Sequence, residues 1–375
     1  MRYILRLFFL PLLGFVGFAC ESEDSPSQMV TVSIDPDAVE KPAKLSDFTE
    51  NMRVVKLETT TEGLVDRHFL AFVDDEHIIL RNNDNILLFN GKGKFVNKIE
   101  RKGKGPEEYL SIRGAYVADE DRQIYIVGQD KILVFDYEGK LLRTELVGFE
   151  PKLRSLHRFD NGTWLAPVET LYHDEAKNEA FHTLDNDFKK RHTYYDRTQD
   201  PVGRNAMVAM SRNKGLITAI DRRLLWNPDY VDTIFQVEKD TLLPAIALQY
   251  TKRRYMLANN FPWGRNKQDK IRASYQPSSK YLFARFSFGK KSFRTIYDME
   301  NGKPLYHNAL SGTEKDNEVI PYEVQGVKFN FWPEYYFQGK LIKMVNPVNM
   351  SDEQLEALKL IDEDNPVLFI AKEKN

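Results

Sequence analysis

The sequence has almost no cysteine: Cys20 is the single one among 375 residues. That scarcity excludes a disulfide framework and any zinc site built from several thiolates. An excess of charge of one sign is also missing, with 53 Lys plus Arg against 55 Asp plus Glu and a net charge of -2. No global field therefore selects nucleic acid or acidic ligands. Apolar residues at 42% and charged residues at 29% describe a globular chain, which excludes wholesale disorder, a collagen-like repeat and a multi-span membrane protein. Helical spacing of apolar residues is nearly absent. So are the Gly-x-Ser-x-Gly nucleophile elbow, the His-Glu-x-x-His metal motif and any cofactor fingerprint.

What is present begins with an address. Arg2 and Arg6 precede an apolar run from Leu7 to Ala19, interrupted by Pro11, Gly14 and Gly17, and the first 19 residues hold no acid. A basic start followed by a short apolar stretch is the pattern of an export signal. The run is shorter than the ~20 residues that span a bilayer, and Cys20 stands where it stops. Ala19-Cys20 resembles the junction of bacterial lipoprotein signals, where the cysteine thiol takes a diacylglycerol and the preceding peptide is removed. The resemblance implies lipidation of Cys20, with residues 1–19 as signal peptide and attachment to a membrane through the lipid. The other reading is a cleaved secretion signal followed by an incidental cysteine. The polar, acidic stretch Glu21 to Ser27 has nothing to pack, so residues 20–45 are expected to form a flexible tether. Acids directly after the cysteine resemble the surface-export signals of Bacteroidetes lipoproteins, which implies the cell envelope, at the outer membrane and on its outer face.

From residue 46 to 375 the chain reads as one repeating domain. Ile78-Ile79-Leu80, Ile86 to Phe89, the turn Gly91 to Lys94 and Lys98-Ile99 form one copy. Ile124-Tyr125-Ile126, Ile132 to Phe135, Glu138 to Lys140 and Leu141-Leu142 form another. Ile78 and Ile124, Phe89 and Phe135, and Gly93 and Gly139 are each 46 residues apart. Strand, turn, strand, Gly-Lys hairpin, strand, with a further strand ahead at Phe72-Val73 or Tyr116-Val117, is a four-stranded antiparallel blade at propeller length. A third copy uses Phe159, Trp164 and the hairpin Asp185 to Lys189. A fourth uses Leu216 to Thr218 and Thr233 to Phe235, and a fifth Tyr281 to Phe283, Thr295 to Tyr297 and Glu300 to Lys303. A sixth draws on Val327 to Tyr336, Lys340 to Ile342 and Val367 to Ile370, completed by Arg53 to Leu57 from near the start. The prediction is an all-β, six-bladed β-propeller whose two ends share a blade, which suppresses an exposed edge. One helix interrupts it: Ser351-Asp352-Glu353-Gln354 has capping-box spacing, and Leu355, Leu358 and Ile361 form an apolar stripe before Asn365-Pro366.

Several segments resemble the Bacteroidetes six-bladed β-propeller lipoproteins. They are Val55-Lys56-Leu57-Glu58-Thr59, Lys102 to Tyr109, Asp232-Thr233-Ile234-Phe235, Phe331-Trp332-Pro333 and Asp364 to Leu368. The resemblance covers nearly the whole chain after the signal. It implies fold and envelope location, and carries no general catalytic assignment.

Local chemistry is sparse. Lys102-Gly103-Lys104-Gly105-Pro106 is glycine-rich but lacks P-loop spacing, and Pro106 removes a donor. Asp74-Asp75-Glu76 and Asp119-Glu120-Asp121 lack the alternating spacing of a calcium loop and read as solvated turns. His173, His182 and His192 crowd the third copy beside Asp174 and Glu175, a set that suits a transition metal only if the fold brings it together. No metal and no cofactor is expected. Asn259 to Asn266 combines aromatics, amides and a guanidinium. Trp263 and Arg265 there, with Trp332, Tyr335 and Tyr336, are the candidate ligand contacts, since flat apolar faces beside bidentate donors suit a carbohydrate or peptide. The same aromatics could instead be wedges between blades. The expected function is a non-catalytic envelope binding module for a glycan, peptide or protein partner, with no nucleic-acid role. The alternative is a propeller enzyme, such as a polysaccharide lyase, lactonase or glycan hydrolase, with its site in the central channel.

Overall fold

The computed structural model describes residues 29–148, 152–168, 179–195, 216–220, 223–227, 231–238, 241–254, 270–310 and 320–374. Two strands precede the repeats, β1 (Val30–Ile34) and β2 (Thr49–Lys56). Blade 1 is β3 (Phe69–Val73), β4 (His77–Arg81), β5 (Ile86–Asn90) and β6 (Phe95–Ile99). Blade 2 is β7 (Gly114–Ala118), β8 (Gln123–Val127), β9 (Lys131–Asp136) and β10 (Leu141–Leu146). Blade 3 is β11 (His157–Arg158), β12 (Trp164–Pro167), β13 (Glu179–Leu184) and β14 (Lys190–Tyr195), and blade 4 is β15 (Leu216–Ile220), β16 (Arg223–Asn227), β17 (Thr233–Val237) and β18 (Leu242–Tyr250). Blade 5 is β19 (Arg272–Pro277), β20 (Tyr281–Phe288), β21 (Lys291–Asp298) and β22 (Pro304–Leu310). After the hairpin β23 (Ile320–Val324) and β24 (Val327–Phe331), blade 6 holds β25 (Tyr335–Phe337), β26 (Lys340–Val345) and β27 (Val367–Glu373). Its fourth strand is β2, antiparallel to β27 with Val54 opposite Phe369. The molecule is therefore a six-bladed propeller closed by its own two ends.

The 46-residue repeat is structural. Ile78 faces Phe89 in blade 1 and Ile124 faces Phe135 in blade 2, all four fully buried between sheets. Gly93 and Gly139 close the matching hairpins at φ +83° and +81°. Side chains alternate across each pleat, and the large apolar ones of neighbouring blades interlock as the core. First strands line the axis: β3 approaches β7 and β25, and β19 approaches β15 and β25. This arrangement gives the disc two distinct ends. Chain crossovers between blades gather at one, the crossover end. The turns after the first and third strands gather at the other, the hairpin end.

Three expectations are corrected. Residues 30–34 lie inside the stretch expected to be a tether, yet β1 pairs in parallel with β18 as a fifth strand of blade 4, with Val30 opposite Ile246. The cause is its alternation, which buries Val32 and Ile34 completely. Val327–Phe331 leaves blade 6 to pair with β23. Helix α1 (Asp352–Leu358) forms with the predicted box, Ser351 capping the Gln354 N–H and the Gln354 side chain returning to the Ser351 N–H. It stops at Lys359, whose φ is +52°, and Ile361 is exposed in a turn held by the Asp364 carboxylate. The predicted stripe ends one turn early.

Candidate functional site

Among the described residues a cleft of about 180 Å³ opens between blades 5 and 6. Ser274, Tyr275 and Gln276 of β19, Phe283 and Arg285 of β20, and the segment Trp332-Pro333-Glu334 leading into β25 line it. Ser274 lies directly opposite Arg285 in the ladder, so hydroxyl and guanidinium share one face of the sheet. Glu334 is the sole carboxylate among these lining residues. Lys343 sits nearby with Nζ donating to the Asn330 carbonyl at 2.6 Å. Burial lowers its pKa, Glu334 opposes that shift and Arg285 adds to it, so both charges act on this lysine. The cleft thus offers a hydroxyl, an amide and a guanidinium above an aromatic wall. Such a set can orient a polar ligand.

The predicted aromatics separate. Trp332 is 3% exposed. It is a wedge, edge-on to Phe283 at 5.5 Å and 6.4 Å from Tyr306, with the Arg294 guanidinium 5.9 Å above its ring. Its edge reaches the cleft, but its face is not a platform. Tyr336 is also buried, its hydroxyl bonded to the Ser279 hydroxyl at the hairpin end. Half-buried Tyr335 stacks on Phe337. Trp263 and Arg265 lie outside the described residues. The structure therefore brings only Trp332 of the described candidates to the cleft. Ser274, Gln276, Arg285 and Glu334 escaped the sequence reading. The available signal was Arg285, a lone charge inside the apolar run Leu282-Phe283-Ala284-Arg285-Phe286.

The remaining motifs are structural. The glycine-rich crossover wraps its own anion, since Glu108 Oε2 accepts from the Gly105 N–H at 2.8 Å and a Cβ on Gly103 would collide with that carboxylate. Asp74 caps its turn by accepting the Glu76 and His77 N–H groups. Asp121 pairs with Arg158. His182 is opposite Thr193 and His192 opposite Thr183, so these two histidines point to opposite faces of one sheet and do not converge. His173 lies outside the described residues. Val55 to Thr59 and Asp364 to Leu368 meet as a latch. The buried Asn365 side chain accepts from the Val65 N–H at 2.9 Å and donates to the Glu58 and Gly63 carbonyls at 2.8 and 2.7 Å.

A family model described as domain of unknown function DUF4934 matches residues 29–372. The chain belongs to this family. Among solved structures, a Bacteroides fragilis protein described as exported superposes with a TM-score of 0.67 at 16% identity, covering 92% of this chain and 100% of its own. A DUF4221 family member from Bacteroides vulgatus gives a TM-score of 0.54 at 12% identity, over 87% of this chain and 98% of its own. At such identities the likeness concerns the fold. A stretch of 121 residues is 31% identical to the signal peptidase complex catalytic subunit sec11 of Neurospora crassa, over 31% of this chain and 67% of that protein. That stretch is a minor part of this chain, whereas the family match spans almost all that follows residue 28.

Proposed function

We propose that this DUF4934 protein is an exported, lipid-anchored binding module of the bacterial envelope that holds a glycan or peptide in a cleft between blades 5 and 6 of its propeller. The observation that carries the reading is the cleft between blades 5 and 6, where Ser274, Gln276 and Arg285 converge over the edge of Trp332. Convergent hydrogen-bond donors over a fixed apolar wall are what a ligand site uses for orientation, and the packed blades hold them rigid at no further entropic cost.

Topology supports the placement. β1 runs parallel to β18, which leads into the crossover to blade 5, so Val30 lies at mid-height of that blade and Ile34 toward its crossover end. Cys20 is ten residues before Val30, a span of at most about 36 Å. A lipid on Cys20 would hold the propeller within that distance of the membrane. The exported relative from Bacteroides fragilis fits the same address.

The test is thermal unfolding of the full chain, solubilised in detergent, against a panel of bacterial and host oligosaccharides and peptides. Saturation at 100 times the dissociation constant adds roughly 2.7 kcal/mol, a readable midpoint shift. The reading predicts a shift with at least one class that Arg285→Ala removes. A panel without a shift, or turnover of a panel member, overturns it.

A further inference from the structure

One wall of the cleft between blades 5 and 6 is a square of four side chains on a single sheet face. Ser274 lies opposite Arg285, and Gln276 opposite Phe283, in the ladder of β19 and β20. Partners within a row stand about 5 Å apart across the strands, and two residues of strand set the rows about 7 Å apart. The facing wall is the chain from Trp332 to Glu334. Phe283 and Trp332 meet edge to face at 5.5 Å, so the two walls join on the Gln276 side and the cleft has a floor there. At about 180 Å³ the space is well below the roughly 300–1,000 Å³ of a drug-sized site and close to the roughly 150 Å³ that takes one benzene ring. It holds one six-membered ring. Because one end is closed, that ring is the end of a chain, and the rest of the chain leaves through the mouth.

The polar groups decide what kind of ring. The Arg285 guanidinium only donates, the Glu334 carboxylate only accepts, and Ser274 and Gln276 do both. Gln276 Nε2 donates to the Pro277 carbonyl at 3.1 Å, which leaves its side-chain oxygen as an acceptor. Tyr275 has its hydroxyl tied to that of Tyr250 at 2.6 Å and contributes bulk. Glu334 is exposed, and its backbone N–H is fixed by the Ile342 carbonyl at 2.8 Å. Its carboxylate has no hydrogen bond or ion pair among the described residues. Donors and acceptors around one ring match substituents that each do both, and that is the property of a hydroxyl. An aromatic peptide side chain would fill the same volume but leave these groups unmatched, at a cost in affinity for each.

We propose that the cleft binds the terminal pyranose of a glycan, and that Glu334 sets its specificity by accepting hydrogen bonds from two adjacent ring hydroxyls. A carboxylate carries two oxygens side by side, so it takes a vicinal pair of O–H donors at once, and bonds to a charged acceptor are the strong ones. Phe283, Pro333 and the edge of Trp332 offer the C–H face of the ring an apolar contact. This assignment rests on the binding-module reading and narrows its ligand to a sugar end.

The experiment is saturation-transfer NMR with titration on the full chain, held in a detergent that has no sugar headgroup. The probes are the methyl glycosides of glucose, galactose, mannose and N-acetylglucosamine, and a trisaccharide ending in each. The assignment predicts that at least one methyl glycoside binds, and that the trisaccharide ending in it binds no more than about tenfold tighter. Deleting either hydroxyl of one adjacent pair on that glycoside weakens it by about tenfold or more. Glu334→Gln does the same with an unchanged unfolding midpoint, because the side chain is exposed. Silence of all four glycosides, a larger gain from the trisaccharide, or indifference to Glu334→Gln overturns the assignment. A peptide or longer glycan whose binding Arg285→Ala abolishes, with the glycosides silent, leaves the binding-module reading standing without it. Silence of the glycosides and of the wider panel removes both.

Discussion

Replacing Asn365 by alanine removes the side chain that joins the two ends of the propeller. Its amide makes three hydrogen bonds, one from the Val65 N–H and two to the Glu58 and Gly63 carbonyls. The residue is 1% exposed, so water does not replace them freely. At about 1 kcal/mol each the loss is about 3 kcal/mol, with the stranded backbone groups adding to it. Asn365→Asp keeps the shape and the bond from Val65 but turns both donated bonds into contacts between a carboxylate and two carbonyls. It is expected to destabilise more than alanine at neutral pH and to recover partly once the acid protonates. Denaturant unfolding of both variants provides the magnitude, and hydrogen exchange of β2 and β27 provides the location. A loss below about 0.5 kcal/mol for Asn365→Ala, or exchange unchanged at β2, would refute the latch.

Other consequences are accessible to simple assays. Gly302→Ala places a Cβ 2.0 Å from the Thr31 carbonyl at a φ of +73°, so β1 should detach and become a protease target; Gly326→Ala, at φ +81° with open space around it, should leave β1 protected and cost about 1–2 kcal/mol. Burial lowers the His157 pKa to about 4, below the ordinary 6.5 of an unfolded chain. The unfolded state then binds the extra proton, so stability is full above pH 6.5 and falls as pH drops toward 4, by at most about 3 kcal/mol and less for a ring that is not fully enclosed. A His157→Gln variant should flatten that part of the profile, and an unchanged slope would contradict the assignment. Cys20→Ser should move the protein from the membrane fraction to the soluble one, and unchanged partitioning would argue against lipidation.

Blade architecture was legible because it rests on local rules. Alternating β-branched residues make strands, and glycines such as Gly93 and Gly139 mark hairpins at a fixed spacing. Closure was legible too, since Arg53 to Leu57 reads as a strand with no partner nearby in sequence. β1 was hidden by the polar stretch that precedes it, and its burial depends on a groove beside blade 4 that no local pattern describes. Trp332 shows why site residues resist the same approach. An aromatic beside a proline reads as platform or as wedge, and Phe283 and Tyr306 packed on it decide for the wedge.

The most direct test of the account is hydrogen exchange on the full chain in detergent, with and without a panel member that shifts its unfolding midpoint. The account predicts protection confined to the cleft, in β19, β20 and the segment Trp332 to Glu334 leading into β25. Protection confined to blades 1 to 3, or no change at the cleft, would contradict it.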